Sequence, residues 1–223
     1  MLTHRLIPAA TVATTHWCLV LHGLGDDVNG WAPVTEALTI PGLGYVLVQA
    51  PDDYCGGFSW FPIPGISDPV STRADMQAGI VRSRGLVEDL IADLCVRLCL
   101  EPDRLLLMGF SQGCVMVLET VLRAHRAFAG AIGISGWLPM AEDYPVALGA
   151  AARDQQILWT HGTADELLPL APSAAAAEGL RALGLAIDWR VYDKGHELEG
   201  GQELPELHDW IARRVSALGT VTA

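Results

Sequence analysis

The chain has 223 residues, of which 51% are hydrophobic and only 18% charged. That is enough apolar material to bury the core of one domain spanning residues 1–223, and too little charge for a disordered chain. Fourteen basic residues against 26 acidic ones give a net charge of −12, a surface that repels nucleic acid and anionic membranes and so excludes a nucleic-acid partner.

Taken in chain order, Leu6 to Gly25 lacks Asp, Glu, Lys and Arg. It carries Pro8, His16, His22 and threonines and ends in glycines, which makes a poor membrane span and a poor export signal. No integral membrane segment is expected, and the cytoplasm is the expected location. Trp17–Leu21 within it reads as a core strand. Short, almost wholly apolar runs follow at Tyr45–Val48, Leu105–Met108, Ala131–Ile134, Ile157–Thr160 and Ile187–Tyr192, as strands buried on both faces of a parallel sheet require. Between them lie helical segments at Val34–Leu38, Gln77–Leu100, Gln112–Ala124, Ala171–Leu183 and Leu204–Leu218. The alternation predicts an α/β fold, a mostly parallel central sheet with helices on both faces. Asp52–Thr72 has no clear period and holds Phe58, Trp60 and Phe61. It is expected to be a folded loop covering the mouth of a site.

The five cysteines (Cys18, Cys55, Cys95, Cys99 and Cys114) are an odd number without framework spacing. They read as small buried residues of a reducing compartment, not as a disulfide or metal set. No metal ligand set is identified.

The chemistry concentrates at Gly109-Phe110-Ser111-Gln112-Gly113. A buried strand precedes it and an apolar helix follows, the setting of the G-x-S-x-G nucleophile elbow. Ser111 is the expected nucleophile. In this arrangement the acid and then the histidine follow the serine along the chain. His125, at a helix end, and His208, within the last helix, are poorly placed, and His161 reads as a structural turn residue. His196 lies between the last strand and the last helix and is the expected base. Asp165, in the loop after Ile157–Thr160, is the expected acid, with Glu166 its neighbour and rival. The oxyanion hole needs two backbone N–H groups, expected from Gln112 and from Leu24 in the glycine loop His22–Asp26. Val28 stands where a dinucleotide fingerprint needs its third glycine. His22 itself is expected to be structural.

These blocks resemble the carboxylesterase/phospholipase group of α/β-hydrolases, which includes the acyl-protein thioesterases. The likeness rests on Leu21–Asp26 with Trp31, Ser59-Trp60-Phe61, Gly109–Gly113, Ser135-Gly136-Trp137-Leu138-Pro139, His161–Asp165 with Pro169, and Gly195-His196. It implies Ser111, Asp165 and His196 as a triad, Leu24 and Gln112 at the oxyanion hole, and no metal or organic cofactor. Two positions depart from the pattern: Cys114 replaces a glycine after the elbow, and Pro62 replaces an aspartate after the aromatic pair.

The expected activity is hydrolysis of small-molecule carboxylic esters of short to medium acyl chains. A thioesterase acting on a lipidated protein, or a lysophospholipase, is the alternative with the same chemistry. Phe58, Trp60, Phe61 and Trp137 are the expected walls of its hydrophobic groove. A catalytically silent fold that binds a ligand or partner is the alternative of another class.

Overall fold

The computed structural model describes residues 1–10 and 12–217. In chain order its elements are β1 (His4–Ile7), β2 (His16–Leu21), α1 (Ala32–Ala37), β3 (Leu43–Val48), β4 (Asp52–Tyr54), β5 (Gly57–Ser59), α2 (Arg73–Arg97), β6 (Leu105–Phe110) and α3 (Gln112–Leu122). There follow β7 (Gly130–Ile134), α4 (Tyr144–Ala147), β8 (Gln156–Gly162), α5 (Leu170–Ala182), β9 (Ala186–Tyr192) and α6 (Glu203–Ala217). Leu218, the expected end of the last helix, lies outside the described residues.

Among the described residues the main sheet has seven strands in the order β1-β3-β2-β6-β7-β8-β9. All neighbours pair in parallel except β1, which runs antiparallel to β3 from His4↔Val48 to Ile7↔Tyr45. The six apolar runs form six of these strands because their alternate side chains enter two different cores. Leu19, Leu21, Leu105 and Leu107 join a core with α2, α3 and α5, whereas Cys18, Val20, Leu106 and Met108 join one with α1 and α6. Helices therefore cover both faces, as the alternation predicts.

The helices start where local chemistry lets them. The first turn of α2 is closed by a reciprocal cap: Asp75 N–H donates to Thr72 Oγ1 at 3.2 Å and Thr72 N–H to Asp75 Oδ2 at 2.9 Å, which begins the helix earlier than its apolar stripe does. In α6 the buried Leu207, Trp210, Ile211 and Val215 recur at helical spacing.

The 52–72 region is more regular than its composition suggests. Its first half is a hairpin, β4–β5, turned at Cys55 and Gly56 with φ of 47° and 87°; two positive φ angles match the twist of a tight hairpin. Phe58 N–H donates to Asp26 O, and its carbonyl accepts Gly25 N–H, both at 2.9 Å. A side chain at Gly57 would collide with the Gly25 carbonyl. The hairpin thus braces the glycine loop after β2.

Candidate active site

Ser111 sits between β6 and α3 with φ 53° and ψ −115°, a strained conformation for a residue with a side chain. Packing enforces it. A Cβ at Gly109 would strike the Gly113 carbonyl, and one at Gly113 would strike the Leu21 carbonyl. Ser111 N–H donates to Ile134 O of the neighbouring strand at 2.9 Å. The turn presents the hydroxyl at the carboxyl edge of the parallel strands, where ligands of such sheets bind.

His196 reaches this hydroxyl from the loop after β9. Its Nε2 is 3.0 Å from Ser111 Oγ, and its Nδ1 is 2.8 Å from Asp165 Oδ2. The pattern assigns Nδ1–H as donor to the carboxylate and Nε2 as acceptor from the serine. Phe110 packs against the imidazole at a centroid separation of 4.9 Å. Asp165 lies in the loop after β8, and its Oδ1 accepts Leu167 N–H at 3.1 Å and Leu168 N–H at 2.8 Å. Burial works to raise this carboxyl, but the bonds from His196 and Leu168 and the nearby histidines outweigh it and hold it below its ordinary value. Its sequence rival Glu166 is exposed.

Four further histidines occupy structural or outlying places. His22 is buried, with Nδ1–H donating to Gly23 O at 2.7 Å and Nε2 accepting Ala50 N–H at 3.0 Å. Burial holds its ring neutral by pushing it below the usual imidazole range. His161 donates from Nε2 to Leu168 O at 2.8 Å and stands 3.6 Å from Asp165 Oδ2, so it clamps the turn that carries the acid. His125 lines a separate groove with Arg84 and Arg123, and His208 faces Asp209 on α6.

Ser111 and His196 open onto a cavity of about 650 Å³, a size that suits a small organic ligand. Leu24, the loop residue expected at the oxyanion hole, lines the same cavity. Neither its N–H nor that of Gln112 takes a hydrogen-bond acceptor among the described residues, and Gln112 is the first residue of α3, whose N-terminus carries positive partial charge.

Of the four aromatics expected as groove walls, Trp137 lines the cavity. The other three are corrected. Trp60 and Phe61 are wholly buried in the core, and Phe58 packs against that core from the hairpin. Their backbone and polar groups explain why. Trp60 Nε1–H donates to His22 O at 2.9 Å, its N–H donates to Gln112 Oε1 at 3.0 Å, and Gln112 Nε2–H donates to Phe61 O at 2.8 Å. The aromatic segment is thus a brace between the glycine loop and the elbow helix. The apolar walls are instead Ile63, Ile66, Met76, Leu167 and Leu168. The two leucines directly follow the loop of Asp165, and Leu167 is 72% exposed while Leu168 is half-buried; the signal in the sequence is an apolar pair in a loop two and three residues after Asp165.

Cys114, one of the two departures, is fully buried, and side chains placed at Gly133 or Gly136 would run into its sulfur. It fills the space between α3 and the chain leaving β7. Among the described residues no helix is long and apolar enough to cross a membrane.

Comparison with known proteins agrees with this geometry. Residues 2–214 match the family model described as phospholipase/carboxylesterase. The chain is 33% identical over 177 residues to acyl-protein thioesterase 1 of Schizosaccharomyces pombe, covering 76% of this chain and 77% of that protein. It is 28% identical to a probable carboxylesterase of Oryza sativa subsp. japonica, covering 97% and 85%. Among solved structures, esterase PE8 superimposes with a TM-score of 0.85 at 25% identity, covering 95% of this chain and 98% of that one. Acyl-protein thioesterase 2 of Zea mays superimposes with a TM-score of 0.76 at 25% identity, covering 96% and 99%. The chain has the α/β-hydrolase fold and belongs to the phospholipase/carboxylesterase family, a family of carboxylic-ester hydrolases.

Proposed function

We propose that the protein hydrolyses carboxylic esters of short to medium acyl chains through an acyl-enzyme on Ser111. The observation that carries this reading is the continuous relay from Ser111 Oγ through His196 to Asp165, at 3.0 Å and 2.8 Å, on the wall of an apolar cavity. Ser111 Oγ attacks the ester carbonyl as His196 Nε2 takes its proton. Asp165 fixes the tautomer and stabilises the imidazolium. The Leu24 and Gln112 N–H groups receive the oxyanion. His196 then protonates the leaving alcohol, and a water molecule, activated by the same imidazole, returns the serine and releases the acid. Nothing in this cycle calls for a metal or organic cofactor.

A thioester on a lipidated protein, or a lysophospholipid, is the second reading. The apolar walls of the cavity and the thioesterase among the similar proteins favour it. The five free cysteines suit a reducing, cytoplasmic setting for either substrate. p-Nitrophenyl esters from acetate to laurate, run beside matched acyl thioesters, separate the two. Peak kcat/KM between butyrate and octanoate supports the first reading, whereas a maximum at laurate with preference for the thioester transfers support to the second. A folded protein that hydrolyses none of them and resists a fluorophosphonate probe is a silent fold.

A further inference from the structure

Lys194 is two residues before His196, and its side chain is 0% exposed, as is that of Glu203 at the start of α6. All three ammonium hydrogens are used: Nζ donates to Glu203 Oε1 at 2.8 Å, to Glu203 Oε2 at 2.6 Å and to Glu197 O at 2.8 Å. Glu203 is equally saturated. Its Oε1 accepts Thr160 Oγ1–H at 2.5 Å and its Oε2 accepts Glu199 N–H at 2.9 Å. Buried charges are tolerated when they are paired and fully hydrogen-bonded, as these are.

The connections matter more than the pair itself. Lys194 closes a ring through the Glu197 carbonyl, so the chain on both sides of His196 is tied to one ammonium. Glu203 ties that ring to the first turn of α6 and, through Thr160, to β8. The strand β8 leads directly into the loop of Asp165. The Lys194 carbonyl also accepts Ala164 N–H at 3.0 Å, next to the acid, and a side chain at Gly162 would collide with that same carbonyl. The ion pair therefore ties the His196 loop through Glu197 and, through Thr160, the strand that enters the Asp165 loop, while the Lys194 carbonyl joins the two loops through Ala164 N–H.

We propose that Lys194 and Glu203 are positioning residues that hold His196 against Asp165 during turnover. This rests on His196 acting as general base. The test replaces the pair together, Lys194→Met with Glu203→Gln, because removing both charges avoids stranding one in the core. The expected result is kcat on p-nitrophenyl butyrate lowered about 30-fold with KM within about threefold, since the ground-state cavity is untouched. In an Asp165→Asn background, where the supported contact is already gone, the same pair of substitutions is expected to lower kcat by less than about threefold. Unchanged kcat in the folded double variant, or an equal loss in both backgrounds, overturns the proposal. Near-ultraviolet circular dichroism and a single cooperative urea transition establish folding. Should the double variant fail to fold, Thr160→Val decides: it releases Glu203 from β8 while keeping the ion pair, and is expected to lower kcat about threefold to fivefold in the wild type and not in Asp165→Asn. No effect of Thr160→Val overturns the proposal. A wild-type protein that fluorophosphonate does not label at Ser111 overturns the Ser111–His196 reading instead.

Discussion

Asp165 Oδ2 lies 2.8 Å from His196 Nδ1 while Asp165 Oδ1 is occupied by the Leu167 and Leu168 N–H groups. Both oxygens of the buried carboxylate are thus held, one by the His196 imidazole and one by its own turn. A carboxylate bound in this way keeps its charge more readily than a free one.

The first prediction concerns pH. The Asp165 carboxyl is depressed in the folded protein, so its contribution to stability is complete above the ordinary carboxylate range and is lost as pH falls through the folded value. Urea midpoints of the wild type and Asp165→Asn should therefore differ by a constant amount above about pH 5 and converge below about pH 4. A gap that persists unchanged into acid contradicts the account of this carboxylate.

Chain-length selection should follow the cavity walls. Met76 lines the cavity together with Ile63 and Ile66. Met76→Trp fills volume there, and should cut kcat/KM on octanoate about tenfold or more while changing acetate less than about threefold. A uniform loss across chain lengths would mean that the cavity does not hold the acyl chain.

Trp60 is wholly buried in the core. Trp60→Ala should lower stability by about 3–5 kcal/mol in urea unfolding. A substrate-wall role would instead leave the urea midpoint unchanged and raise KM.

Cys114 is a packing residue with its thiol pushed up by burial. Cys114→Ala should cost about 1–2 kcal/mol of stability and leave kcat within about threefold. In the folded wild type, iodoacetamide should modify the exposed Cys55 and Cys99 and spare Cys18 and Cys114. Mass mapping of the alkylated sites checks both halves.

What was legible in the sequence divides along physical lines. Strands such as Trp17–Leu21 and Leu105–Met108 announce themselves because burial on both faces demands an unbroken apolar run. The edge strand β1 carries Arg5 and has two exposed residues at its centre, so it lacks that signature; its pairing with β3 supplies what its composition does not. Strand ends and chain order single out Ser111, His196 and the loop of Asp165 and Glu166, and the structure brings Ser111, His196 and Asp165 within hydrogen-bond reach. Trp60 and Phe61 belong to the core, which the sequence does not distinguish, because an aromatic run reads alike whether it lines a mouth or plugs a core. The Gln112 amide that fixes their position is 52 residues away from Trp60. Lys194 and Glu203 carried no local signal, since each looks like an ordinary surface charge until the fold removes water from both.

In the proposed cycle Ser111 performs the attack. Ser111→Ala, assayed on p-nitrophenyl butyrate and incubated with a fluorophosphonate, tests it most directly. The expected result is a loss of about a thousandfold or more in kcat/KM and no covalent adduct by intact mass, beside a single adduct on the wild type at Ser111. Activity retained within about tenfold, or an adduct that persists on the variant, would contradict it.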